Sequence, residues 1–175
     1  MSEPRLNYGQ LAPEGLAKLR ELEHYLNNGA GIEASLRELV RLRVSQVNGC
    51  EFCVRFHTAE MTKLNETAER IASLEEWRSS ELYTKRERAA LAWAEAVTNI
   101  HDGHAPDVVY EAVRAEFTDV ETVNLTLVIT TINTWNRIAI ALGVRWGQAQ
   151  EECKHRVHPL RQAQGQDDKM SVTDI

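Results

Sequence analysis

The sequence predicts an all-α fold. Three observations carry this. Apolar residues recur at three- and four-residue spacing through nearly the whole chain, no run alternates as a half-buried strand does, and two Thr-x-x-Glu capping boxes mark helix starts.

The elements follow in order. Leu16, Leu19, Leu22 and Leu26 stripe a helix that begins near Pro13 and ends at Asn27-Asn28-Gly29. Leu36, Val40, Val44 and Val47 stripe a second, closed by the Asn48-Gly49 turn. A third runs from about Cys50 to Leu64, and a fourth from Glu66 to Trp77. Thr84-Lys85-Arg86-Glu87 opens a helix with Ala90, Trp93, Ala94 and Val97 on one face. After the loop His101-Asp102-Gly103-His104, Pro106 starts a shorter helix through Ala115. Thr118-Asp119-Val120-Glu121 then opens a long apolar helix that ends at Gly143. These elements make one domain over residues 1–147. Residues 148–175, rich in glutamine and charge, read as a polar tail, mobile or draped over a neighbouring subunit, with Cys153, His155 and His158 at its surface.

Composition limits the function classes. The apolar share of 43% and charged share of 26% are those of a soluble globular protein. A net charge of −6 with no basic stripe argues against nucleic acid as a partner. Residues 120–144 approach the length of a membrane span, but Asn124, Asn133, Asn136 and several threonines interrupt them. A buried central or subunit-interface helix is expected there, and no membrane. The N-terminus lacks a basic-then-apolar leader, and two of the 3 cysteines share one Cys-x-x-Cys. That is no extracellular disulfide framework; it fits a reducing compartment, so a cytoplasmic location is expected.

The chemistry concentrates in Cys50-Glu51-Phe52-Cys53 and His57. Two thiols three residues apart close a disulfide across one helical turn, and an imidazole four residues beyond the second lies on the same face. A free cysteine, with pKa about 8.5, is mostly un-ionised at neutral pH. A helix N-terminus favours the Cys50 thiolate, and an adjacent base favours that of Cys53. Cys53 is the expected nucleophile, because the base also supplies the proton for a leaving alkoxide. Cys50 then resolves the sulfenic acid as a disulfide. Zinc on Cys50, Cys53, His101 and His104 is the metal alternative; no second paired-cysteine knuckle supports it, and no metal is expected.

Glu38 is the candidate partner of His57. In a hairpin about Asn48-Gly49, Glu38 lies about 15 Å back from the turn and His57 about 12 Å forward, nearly at one level. Yet Glu38 is about 160° around the helix from Leu36, so periodicity alone makes it solvated unless the Leu42 side meets another helix or subunit.

The pattern Glu38-x11-Cys50-x2-Cys53-x3-His57 resembles the core motif of the alkylhydroperoxidase D-like proteins of the carboxymuconolactone decarboxylase superfamily. Glu87-Arg88-Ala89-Ala90-Leu91-Ala92-Trp93 and Ile132-Asn133-Thr134-Trp135-Asn136-Arg137 resemble further segments of small members. The resemblance implies an AhpD-like helical bundle assembled as a homotrimer or hexamer with the site near subunit contacts. It implies a peroxidatic Cys53, a resolving Cys50, a proton relay through His57 and Glu38, and no cofactor. The best-known peroxidase members carry histidine where this chain has Phe52.

The expected function is thiol-dependent reduction of alkyl hydroperoxides, recharged by an external dihydrolipoyl- or thioredoxin-like reductant. The alternatives are a redox adaptor or sensor that exchanges disulfides with a partner, and a carboxymuconolactone decarboxylase-like lyase.

Overall fold

A computed structural model describes residues 5–144. Eight α-helices follow one another with no strand among the described residues: α1 (Tyr8–Leu11), α2 (Pro13–Asn28), α3 (Ala34–Val47), α4 (Glu51–Lys63), α5 (Ala68–Ala72), α6 (Lys85–Thr98), α7 (Asp107–Glu116) and α8 (Asp119–Leu142). The expected boundary at 147 and the polar tail lie outside the described residues.

Both capping boxes form. The Thr84 side chain accepts from the Glu87 N–H while Glu87 accepts from the Thr84 N–H, and Thr118 and Glu121 do the same. Gly143 ends α8 in the left-handed region at φ +70°, and the Val144 N–H closes back onto the Ala139 carbonyl at 2.9 Å.

Two elements depart from the periodicity. Residues 66–77 form no single helix: Thr67 caps the short α5, and a 3-10 turn over Ser73–Glu76 follows. Ile71, Leu74 and Trp77 explain this, since their three-residue spacing matches the 3.0-residue turn of a 3-10 helix and places Leu74 and Trp77 in the core. The four-residue α1, capped by the Asn7 side chain, is too short to show a periodicity.

α3 is the centre of the bundle and packs against α4, α6 and α8. One side carries Leu36, Val40 and Val44 into a core shared with Ala90, Leu125 and Ile129. Its other side carries Leu39 and Leu42 against Met61, Leu74 and Trp77. α8 is long and apolar enough to cross a membrane by length and composition, but one face of it is core. That face also presents amides: Asn124 donates to the Ala30 carbonyl at 2.8 Å, and Asn133 and Asn136 bond toward α6 and α3.

Candidate active site

The site grows from one turn. Gly49 sits at φ +65°, a conformation that favours glycine, and reverses the chain between α3 and α4. The Cys50 N–H donates to the Ser45 carbonyl at 3.0 Å, and the Cys50 carbonyl accepts from the Val54 N–H at 2.9 Å. Cys50 is thereby the N-cap of α4, with no side-chain capping bond, and Cys53 is the third residue of the helix. The two are joined by a disulfide, their Cα atoms 5.3 Å apart. Both are buried, in a small cluster with Ala139, Phe52 and Val144. The helix dipole at this end favours negative charge on either sulfur once reduced.

One turn further along α4, His57 is buried, and its Nδ1 lies 2.8 Å from Glu38 Oε2 on α3. Glu38 Oε1 accepts from Arg41 Nη1 at 2.6 Å, and Arg41 Nη2 donates to Asn27 Oδ1 on α2 at 3.0 Å. Burial alone would raise the Glu38 carboxyl. The hydrogen bond and charge of His57, with the Arg41 guanidinium, outweigh it and hold the group at about 2. A carboxylate ionised at neutral pH can only accept, so the His57 Nδ1–H donates to it and Nε2 is the ring nitrogen outside this contact. The Phe56 ring stands edge-on to the imidazole, 5.1 Å between centroids.

Periodicity put Glu38 on the solvated side of α3; the structure corrects this, leaving it 7% exposed. The Leu39 and Leu42 side of α3 meets α4, so the helix has no open face at this level. The level-matching estimate holds: the hairpin brings Glu38 and His57 into contact.

Sequence reasoning missed Glu23. At 100° per residue it falls between Leu16 and Leu19 around α2, inside the leucine stripe, and an acid on an apolar stripe was the available signal. Burial raises its carboxyl, while the charges of Arg41 and His57 act against that rise. The Trp135 indole N–H, buried on α8, lies near enough to Glu23 to favour its ionised form.

A buried amide network holds the turn. Asn48 Nδ2 donates to Asn133 Oδ1 at 2.9 Å and to Asn136 Oδ1 at 2.8 Å, and Asn136 Nδ2 donates to Ser45 Oγ at 3.2 Å. Ser45 Oγ in turn donates to the Arg41 carbonyl at 2.8 Å, which ties the network to the Glu38–Arg41 pair. His101 and His104 are exposed, and among the described residues no three His, Cys, Asp or Glu side chains are grouped to hold a metal ion.

A helical hairpin with a disulfide at its turn and a buried His–Glu pair behind it defines an AhpD-like protein. The family model for carboxymuconolactone decarboxylases matches residues 12–96. YdfG of Bacillus subtilis, an uncharacterised protein, is 40% identical over 141 residues, which is 81% of this chain and 95% of YdfG. An Agrobacterium tumefaciens protein of unknown function, for which an AhpD role in antioxidant defence has been suggested, has a crystal structure that is 40% identical. Its TM-score is 0.79, over 82% of this chain and 97% of that one. The debrominase Bmp8 superposes with a TM-score of 0.72 at 18% identity, covering 82% of this chain and 76% of its own; this likeness is one of fold alone. The chain belongs to the carboxymuconolactone decarboxylase family and is an AhpD-like member of it.

Proposed function

We propose that the protein is a thiol-dependent hydroperoxide reductase of the alkylhydroperoxidase type. The observation that carries this reading is the 2.8 Å contact of His57 Nδ1 with Glu38 Oε2, buried on the same hairpin as the Cys50–Cys53 disulfide. A structural disulfide needs no oriented base beside it; a peroxide-reducing dithiol does.

In the reduced protein His57 Nε2 takes the Cys53 proton. The thiolate attacks the distal oxygen of a hydroperoxide, the O–O bond breaks, and the imidazolium returns the proton to the leaving alkoxide. Cys50 attacks the sulfenic sulfur and releases water, which leaves the disulfide. Each turn converts ROOH and two thiols into ROH, water and one disulfide. An external dithiol, dihydrolipoyl- or thioredoxin-like, restores the thiols by exchange. The relative suggested to act in antioxidant defence supports this direction. Assembly as a homotrimer or hexamer is part of the proposal, supported by the apolar side chains of Val120, Val123 and Ile140 that α8 leaves exposed.

The test compares peroxide consumption by the pre-reduced wild type and Cys53→Ser. One peroxide per subunit is expected from the first and none above background from the second; equal rates would sink the reading. Phe52, partly buried between the cysteines, favours a second reading, disulfide exchange with a partner protein. Wild-type protein that consumes its single peroxide yet exchanges faster with protein disulfides than it turns over would decide for that alternative.

A further inference from the structure

We propose that Arg5 is a positioning residue for the dithiol: it clamps the end of α8 over the Cys50–Cys53 disulfide, so that a reductant reaches sulfur only when the clamp lets go. This rests on the redox reading of the dithiol, though not on peroxide as its oxidant.

The sulfurs are covered. Cys50 and Cys53 are 2% and 4% exposed, and the apolar side chains clustered with them are Ala139, Phe52 and Val144. Ala139 is fixed within α8 and Phe52 within α4. Val144 lies just past the end of α8, beyond the left-handed Gly143, and is partly exposed. Moving it outward gives up the bond from its N–H to the Ala139 carbonyl and leaves both helices intact. Val144 is therefore the part of the cover that opens at least cost.

A helix ends with four carbonyls that its own turns leave without partners. In α8 the Gly143 and Val144 N–H groups meet those of Ile140 and Ala139. Arg5 meets the other two from the opposite end of the chain. Its N–H donates to the Leu142 carbonyl at 2.9 Å, and its Nη1 donates to the Ala141 carbonyl at 3.1 Å. Its N and Cγ also run beside Gly143, where a Cβ would meet each at 3.6 Å. Water satisfies exposed carbonyls as well, so this fastening is not needed to end the helix. What it fixes is the pair just beyond, Gly143-Val144, of which Val144 closes over the sulfurs. The guanidinium also stands where the α8 dipole favours a cation. A reductant must touch a sulfur to break the S–S bond, so opening of this end precedes reduction. Arg5 touches neither sulfur; it acts through Val144.

The experiment reduces the oxidised full-length protein with TCEP, a tricarboxylate phosphine, and follows the appearance of free thiols with no peroxide present. Phosphorus attacks one sulfur, the S–S bond breaks, and the second sulfur leaves as a thiolate. Water then displaces the first as a thiol and carries the phosphorus to its oxide. Arg5→Ala is expected to speed reduction by about 5-fold, the factor that one hydrogen bond carries. Arg5→Pro, which also lacks the N–H, is expected to speed it further. Arg5→Lys, which keeps a donor for Ala141, is expected to stay near the wild type. The sign is diagnostic. The phosphine is anionic at neutral pH, so removing a cation that only attracted it slows the reaction. Urea separates local opening from general loosening. Opening the α8 end exposes little surface, so low urea leaves the Arg5→Ala rate nearly unchanged, whereas reduction through global unfolding climbs with the full unfolding slope. An Arg5→Ala rate within about 2-fold of wild type, or below it, overturns the proposal. So does an acceleration that carries the slope of global unfolding. Failure of the peroxidase reading would appear only in the peroxide assay and leave this measurement intact.

Discussion

Glu38 and His57 are 19 residues apart in sequence, lie on antiparallel helices, and meet at 2.8 Å. The contact makes one ionised carboxylate serve two donors, since Arg41 holds the other oxygen at 2.6 Å. Removing the carboxylate strands both.

Glu38→Gln is therefore expected to destabilise the protein by about 3 kcal/mol at neutral pH, the scale of a broken buried pair. The sign of its pH dependence follows from the direction of the shift. A carboxyl held at about 2 when folded and 4.5 when unfolded contributes stability above pH 4.5 and loses it as pH falls toward 2. Urea midpoints of wild type and variant are expected to lie well apart at pH 7 and to converge below 4.5. A gap independent of pH would show that packing, not charge, is what the substitution removes.

In the proposed cycle the two sulfurs have different tasks, and Cys50→Ser separates them. This variant is expected to consume one peroxide per subunit and stop, with a sulfenic acid on Cys53 that a carbon nucleophile traps for mass spectrometry. A trapped adduct on Cys50 in the Cys53→Ser variant, and none on Cys53, would reverse the assignment.

Gly49→Ala tests the turn. No atom lies within 4 Å of where its Cβ would stand, so the cost is conformational and not steric crowding. Holding alanine at φ +65° is expected to cost about 1–2 kcal/mol, and Gly49→Asn less, because asparagine tolerates this region. Thermal melts of the three proteins give the order.

Asn136→Ala removes one of the two acceptors of Asn48 and the donor to Ser45. Loss of these two hydrogen bonds is expected to lower stability by about 1–3 kcal/mol. Because Asn48 is two residues from Cys50, the rate of disulfide reduction is expected to change as well. Unchanged reduction kinetics in a destabilised variant would confine the network to a packing role.

The helices were legible where local chemistry decides them. Thr84 and Thr118 announce their helices through a capping box that four residues complete alone, and Gly49 announces a turn. The site was legible in part: Cys50, Cys53 and His57 share a turn-and-helix segment, so spacing places them. Glu38 needed level-matching across a hairpin, and its wheel position pointed the wrong way because α3 is covered on every side at that height. Glu23 belongs to a helix separated from the motif by a loop and another helix. Nothing local on α2 says that Arg41 waits opposite, save the oddity of an acid in a leucine stripe.

The main chain at Cys50 is held from both sides, by Ser45 behind and Val54 ahead, while Asn48 is moored to α8. On the proposed redox cycle, the sulfur bridge would open and close over a main chain that these bonds hold in place. On that reading the molecule is better suited to pass electrons than to broadcast that it has done so. A partner wishing to know its oxidation state has to touch the sulfurs themselves.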